Sequence, residues 1–97
     1  MLFANKIKQL REEQNLLQRQ LAAALEIDTP MYSKIERGDR RAKREQISLL
    51  AKELHANPEE LLILWLADQV VAVVENDKRI VDKVLDVTKE NIRNTHT

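Results

Sequence analysis

No cysteine occurs among the 97 residues, which excludes a disulfide framework, a thiolate nucleophile and a cysteine-held zinc or iron–sulfur centre. The single glycine leaves no material for a glycine-rich phosphate loop. Neither His55 nor His96 has a partner at metal-ligand spacing, and the carboxylates interleave with basic residues on helical faces. No enzyme, no cofactor and no metal is therefore expected. The three aromatic residues, Phe3, Tyr32 and Trp65, each fall on an apolar stripe and are assigned to core rather than to base stacking. The first residues lack the apolar core of a secretory leader, and the most apolar run, Leu61 to Ala67, is far short of the roughly 20 residues that span a bilayer. A soluble, cytoplasmic protein with no membrane partner is the expectation.

What is present is helical patterning. Hydrophobic residues make up 43% of the chain, with few β-branched runs outside the last third, enough for one all-α core. Leu2, Phe3, Ile7 and Leu10 mark a first amphipathic helix to about Gln14, with Asn15 as a left-handed cap. Leu17, Leu21, Ala22 and Leu25 give a short second helix that stops at Glu26-Ile27-Asp28. Asp28 is an N-cap for a third helix from Thr29, Pro30 sits in its first turn, and Gly38 closes it. Ile47, Leu50, Ala51 and Leu54 mark the fourth helix, and Pro58 with Glu59 and Glu60 starts the fifth.

Five helices thus fill residues 1–66, and residues 67–97 form a C-terminal helical extension. Leu61 to Leu66 and Val70 to Val74 are apolar all round. A last helix with Ile80, Val81, Val84, Leu85, Thr88 and Ile92 on one side should fold back on them as a hairpin, with 94–97 frayed. That surplus of apolar surface predicts a dimerisation element.

The net charge of zero hides an asymmetry. Residues 1–57 hold 11 Lys and Arg against 8 Asp and Glu, a net of +3, whereas residues 58–97 hold 5 against 8, a net of −3. Lys34, Arg37, Arg40, Arg41, Lys43 and Arg44 crowd into one short stretch against Glu36 and Asp39. Such a patch suits phosphates, and a short helix, a tight turn and a second short helix with a basic flank is the layout that enters a DNA major groove.

Residues 6–62 resemble the phage-repressor or Cro-like helix-turn-helix family, often called XRE. The likeness rests on Lys6-Ile7, Leu10-Arg11, Gln18-Arg19-Gln20-Leu21-Ala22 and Ser33-Lys34-Ile35-Glu36-Arg37-Gly38. It implies a five-helix lambda-repressor-like DNA-binding domain that acts on double-stranded DNA, with Thr29, Pro30, Ser33 and Lys34 on the groove-facing side of the recognition helix. It further implies that Gln18 braces that helix and touches a phosphate, that the loop from Asp39 to Arg44 follows the backbone, and that Arg11 and Glu36 form an internal ion pair. Met31 offers apolar surface to thymine methyls, and Arg37, Arg40, Arg41 and Lys43 are candidate phosphate contacts. Two residues depart from the family pattern: Leu17 stands where Ser or Thr commonly caps the second helix, and Glu26 where Gly commonly opens the turn.

The function expected from all this is sequence-specific DNA binding by a small transcriptional regulator, a repressor acting as a homodimer. The alternatives are an antitoxin-type module that binds another protein through its C-terminal helices, and a controller of a restriction–modification system.

Overall fold

The computed structural model describes residues 1–95. Among the described residues there are six α-helices and no strand: α1 (Leu2–Glu13), α2 (Gln18–Ala24), α3 (Thr29–Glu36), α4 (Arg44–Glu53), α5 (Pro58–Val74) and α6 (Val81–Thr95), the last preceded by a 3-10 turn at Lys78–Ile80. No helix among them is long and apolar enough to cross a membrane.

Helix ends follow local chemistry. Asp28 Oδ1 accepts the Met31 N–H at 2.8 Å, and Asn57 Oδ1 accepts those of Glu59 and Glu60 at 2.8 and 3.2 Å. Each carboxylate or amide thereby occupies donors that the first turn leaves free. Asn15 (φ +56°), Glu26 (φ +57°) and Gly38 (φ +81°) take the left-handed conformation that ends a helix. His55 (φ +53°) does so as well, just after the end of α4. Leu17 cannot accept a hydrogen bond, but Gln20 Oε1 reaches back to the Leu17 N–H at 2.7 Å, so half of a capping box survives.

The core is built from Phe3, Ile7, Leu21, Ala22, Leu25, Tyr32, Ile35, Ile47, Leu50, Ala51, Leu54 and Leu61. It is therefore made by α1 to α4 and the first turn of α5. Beyond it the structure departs from the sequence reading. The expected boundary between residues 66 and 67 falls inside α5, which runs through it unbroken because nothing between Pro58 and Glu75 stops a helix.

The hairpin is also not closed. On the expected apolar side of α6 no residue is buried, Val81, Val84 and Leu85 are half-buried and Ile92 is 59% exposed, and α6 packs chiefly on the 3-10 turn before it. A radius of gyration of 15.7 Å, against about 13 Å for a compact chain of roughly 100 residues, reflects this projecting arm. Asn94 and Thr95, expected to fray, are helical, with Thr95 Oγ1 donating to the Asn91 carbonyl at 2.8 Å. His96 and Thr97 lie outside the described residues.

Candidate nucleic-acid interface

The inner side of α3 is fixed by burial of Tyr32, Ile35 and Glu36. Helical spacing then places Pro30, Ser33, Lys34 and Arg37 together on the outward side, with Thr29 beside Ser33 and Met31 at the edge. Pro30, Lys34 and Arg37 are exposed, whereas Thr29, Met31 and Ser33 are half-buried.

Behind α3 lies a buried polar brace. Arg11 Nε and NH2 grip the two oxygens of Glu36 at 2.9 and 2.7 Å, and Arg11 NH1 donates to the Leu16 carbonyl at 2.9 Å. Gln18 Nε2 donates to the same carboxylate at 3.3 Å. Burial pushes the Glu36 carboxyl up, but the Arg11 hydrogen bonds, the neighbouring Tyr32 phenol, Gln18 and the Arg11 charge outweigh it, leaving the group below its usual range. The guanidinium in turn is held charged, chiefly by its hydrogen bond to Glu36. Gln18 is thus committed to α3, at the start of α2 where α2 and α3 meet.

Tyr32 completes the cluster. Its hydroxyl is buried with no hydrogen-bond partner among the described residues, and burial, then the Glu36 charge, push its pKa far up. The phenol stays neutral.

The basic patch divides by partner. Arg37 Nε pairs with Asp39 Oδ2 at 3.0 Å and Arg37 NH1 donates to Ser33 Oγ at 2.9 Å, in a pair exposed to solvent on both sides. Lys34, Arg40, Arg41, Lys43 and Arg44 have no carboxylate partner among the described residues. Lys43 is the N-cap of α4 and Arg44 its first residue, a placement that sets positive side chains against the positive end of the helix. The loop that carries them is pinned from α5, where Trp65 Nε1 donates to the Ala42 carbonyl at 2.8 Å. Arg40 and Arg41 border a groove of about 490 Å³ between the start of α1 and α5, and the Arg40 N–H donates to the Lys34 carbonyl at 3.3 Å.

Two features escaped the sequence reading. Asn5 and Lys8 of α1 join Gln18 and Arg37 around a polar recess of about 460 Å³, adding a cation to the same edge. Asp68, the lone charge in the apolar run of α5, accepts the Leu2 and Phe3 N–H groups at 2.9 and 3.0 Å and so caps α1 from across the molecule. A lone carboxylate in an apolar helix needs such a partner, which was its signal. Met1 meanwhile lies over Gly38, where a Cβ would fall 2.8 Å from Met1 Cγ. No group of three or more acidic, histidine or cysteine side chains among the described residues could hold a metal ion.

The helix-turn-helix family model matches residues 7–61, more than half of the chain. No curated protein and no solved structure matches.

Proposed function

The chain belongs to the XRE-type helix-turn-helix family of DNA-binding regulators, and from that premise we propose that it is a cytoplasmic, dimeric repressor that reads a specific sequence of double-stranded DNA. The observation that supports this most is the pairing of an outward α3 surface with five cations that no carboxylate neutralises among the described residues. Unpaired cations attract phosphates, a term that is blind to sequence. Specificity then falls to α3: Thr29 and Ser33 offer hydroxyls, Pro30 and Met31 apolar contact to thymine methyls, and Lys34 a donor for guanine O6 or N7. Gln18, Arg40, Arg41 and Lys43 set the register on the backbone. Arg37 is assigned to holding Ser33 and Asp39. The domain that does this is residues 1–66, and residues 67–97 serve assembly.

Selection of bound duplexes from a random pool by the purified chain tests the proposal. The expected product is a palindrome with half-sites about 34 Å apart. Lys34→Ala should relax one position within each half-site, whereas Arg41→Ala should weaken all sequences alike. Absence of any enriched sequence overturns the operator-reading proposal. A second reading, an antitoxin-type role in which α6 docks on another protein, is favoured by the exposed Val87 and Ile92. Co-expression with the product of the adjacent gene, followed by purification, decides it.

A further inference from the structure

We infer that Trp65 is a positioning residue for DNA binding: its indole N–H fixes the loop between α3 and α4 so that Arg41 is held ready for a phosphate. The inference rests on the DNA-binding reading above and adds to that interface a residue of α5 that acts without touching nucleic acid. Arg41 belongs to the loop of residues 37–43, and both ends of that loop are tied. The N–H groups of Asp39 and Arg40 donate to the Lys34 carbonyl at 2.9 and 3.3 Å, and the Lys43 N–H donates to Gln46 Oε1 at 2.8 Å. Between those ties the backbone of Arg41 and Ala42 makes one hydrogen bond among the described residues, the 2.8 Å bond from Trp65 Nε1 to the Ala42 carbonyl.

That bond falls at the pivot of the basic loop. Ala42 is 2% exposed, whereas Arg40 and Arg41 before it and Lys43 and Arg44 after it all lie in water. The side chain of Ala42 is part of the core, so its carbonyl stands beside apolar surface. A backbone acceptor in that position that loses its donor must find water or move. Phenylalanine at position 65 would pack on the same core and supply no donor. The nitrogen is therefore the part of Trp65 that packing alone does not require.

A pin orients only as well as its own anchor is held. One turn before Trp65, Leu61 is buried and Leu64 packs on the core. Three residues after it, Asp68 accepts the Leu2 and Phe3 N–H groups at 2.9 and 3.0 Å. Leu61, Trp65 and Asp68 share one side of α5, which grips the core, the loop and the start of α1 in turn. The indole is thus fixed on both sides along the helix. A loop that must be ordered at the moment of binding weakens the complex, and one ordered beforehand does not. What the indole contributes is affinity of equal size for every DNA sequence, because phosphates carry no sequence information.

Affinity for an unrelated duplex of about 20 base pairs at about 50 mM salt, read by fluorescence anisotropy, tests this without an operator in hand. Trp65→Phe should bind about fivefold more weakly than the parent, the size expected for one hydrogen bond. Replacing Trp65 by benzothienylalanine, which keeps the shape of the indole and carries sulfur in place of the N–H, should do the same with the parent's circular dichroism. The measurement that separates positioning from a purely structural role is made in the Arg41→Ala background. There, loss of the indole N–H should weaken binding by less than about twofold, because the cation it positions is gone. The chain's one tryptophan also gives one indole N–H resonance, and in the free protein its exchange with solvent should be slow. Equal weakening with and without Arg41, undiminished binding by both Trp65 variants, or an indole N–H that exchanges as fast as a free one overturns the inference and leaves DNA binding standing. A parent that binds no duplex even at low salt removes the DNA reading and the role of Trp65 with it.

Discussion

The head of the molecule, α1 to α4 with the start of α5, and the arm, the rest of α5 with α6, carry apolar residues at the same helical spacings and dispose of them in opposite ways. In the head Ile7, Leu21, Leu50 and Leu61 are all buried, and the one buried charge, Glu36, has Arg11 and Gln18 against it. In the arm Val70, Val73, Val87 and Ile92 face water, and no residue of α6 is buried. Spacing thus says which residues share a side of a helix, and only the surroundings say whether that side is satisfied within one chain. The head buries its apolar sides within one chain, and the arm leaves most of its own exposed.

The sharpest way to separate the two is ionic strength, because the basic cluster of Lys34, Arg40, Arg41, Lys43 and Arg44 belongs to the head. With about four phosphate contacts per subunit, a dimer should show a log–log salt slope of about −7, so a fourfold rise in salt costs roughly 10⁴-fold in affinity. Removing Lys43 by alanine substitution should reduce that slope by about 2 for the dimer, one phosphate on each subunit. Lys89→Ala in α6 should leave it unchanged. Titrations by fluorescence anisotropy at several salt concentrations supply the slopes. Equal changes for Lys43 and Lys89 would dissolve the distinction between a DNA-facing head and an assembly arm.

Stability gives the next largest contrast. Arg11→Ala strands the buried Glu36 carboxylate and should cost about 3 kcal/mol by urea unfolding. The pair also sets a pH dependence. The Glu36 pKa is lowered on folding, so its contribution is full above the unfolded value of about 4.5 and is lost as pH falls through the lower folded value. The parent chain should therefore lose stability below about pH 4.5 more steeply than Glu36→Gln. Hydrogen exchange should follow the same division, with amides of α1 and α4 protected to the level of global unfolding and those of α6 opening earlier. Protection in α6 equal to that in α1, at concentrations where the chain is monomeric, would contradict the arm's description.

The head was legible in the sequence because its signals are local. Asp28 and Pro30 opened α3, Gly38 closed it, Asn15 closed α1, and the periodicity of Ile47, Leu50, Ala51 and Leu54 gave α4. The ion pair of Arg11 and Glu36 followed from the family resemblance, and the geometry bears it out at 2.7 Å. What was not legible depends on distance in space. Nothing near Asp68 in sequence says that it caps α1, and nothing near Lys8 says that it shares a recess with Gln18. The division at residue 66 was drawn from composition, and α5 runs through it unbroken because an apolar helix needs no break to pass from buried to exposed. The commitment of Arg37 to Asp39 and Ser33 was likewise invisible while its charge was counted with the rest of the patch.

A smaller test concerns the start of α2. Leu17 is about half exposed, so replacing it forfeits little apolar burial. The Leu17→Ser variant supplies an oxygen for the α2 amides while Gln20 keeps its bond to the residue-17 N–H, and should raise stability by about 1 kcal/mol. Since Gln18 is the first residue of α2, the same change should tighten its placement against Glu36 and improve affinity for the operator modestly. A stabilised variant with unchanged affinity would mean that Gln18 is already fixed by Glu36 alone.

The smallest effects expected are two near-zero values with different causes. Tyr32→Phe removes a hydroxyl that has no hydrogen-bond partner among the described residues, so the relief of a buried polar atom offsets the loss of its attraction to the Glu36 carboxylate, and the change should lie within about 1 kcal/mol of zero. Val87→Ala should lie within about 0.5 kcal/mol because that side chain is mostly in water. Larger truncations separate the causes. Tyr32→Ala empties a fully buried site and should cost about 3 to 5 kcal/mol, whereas Val87→Ser should stay near zero in the monomer. A loss above about 2 kcal/mol for Tyr32→Phe would show that the hydroxyl is bonded in solution, to a bound water or to Glu36 after a small rotation, and that the brace behind the recognition helix has four members rather than three.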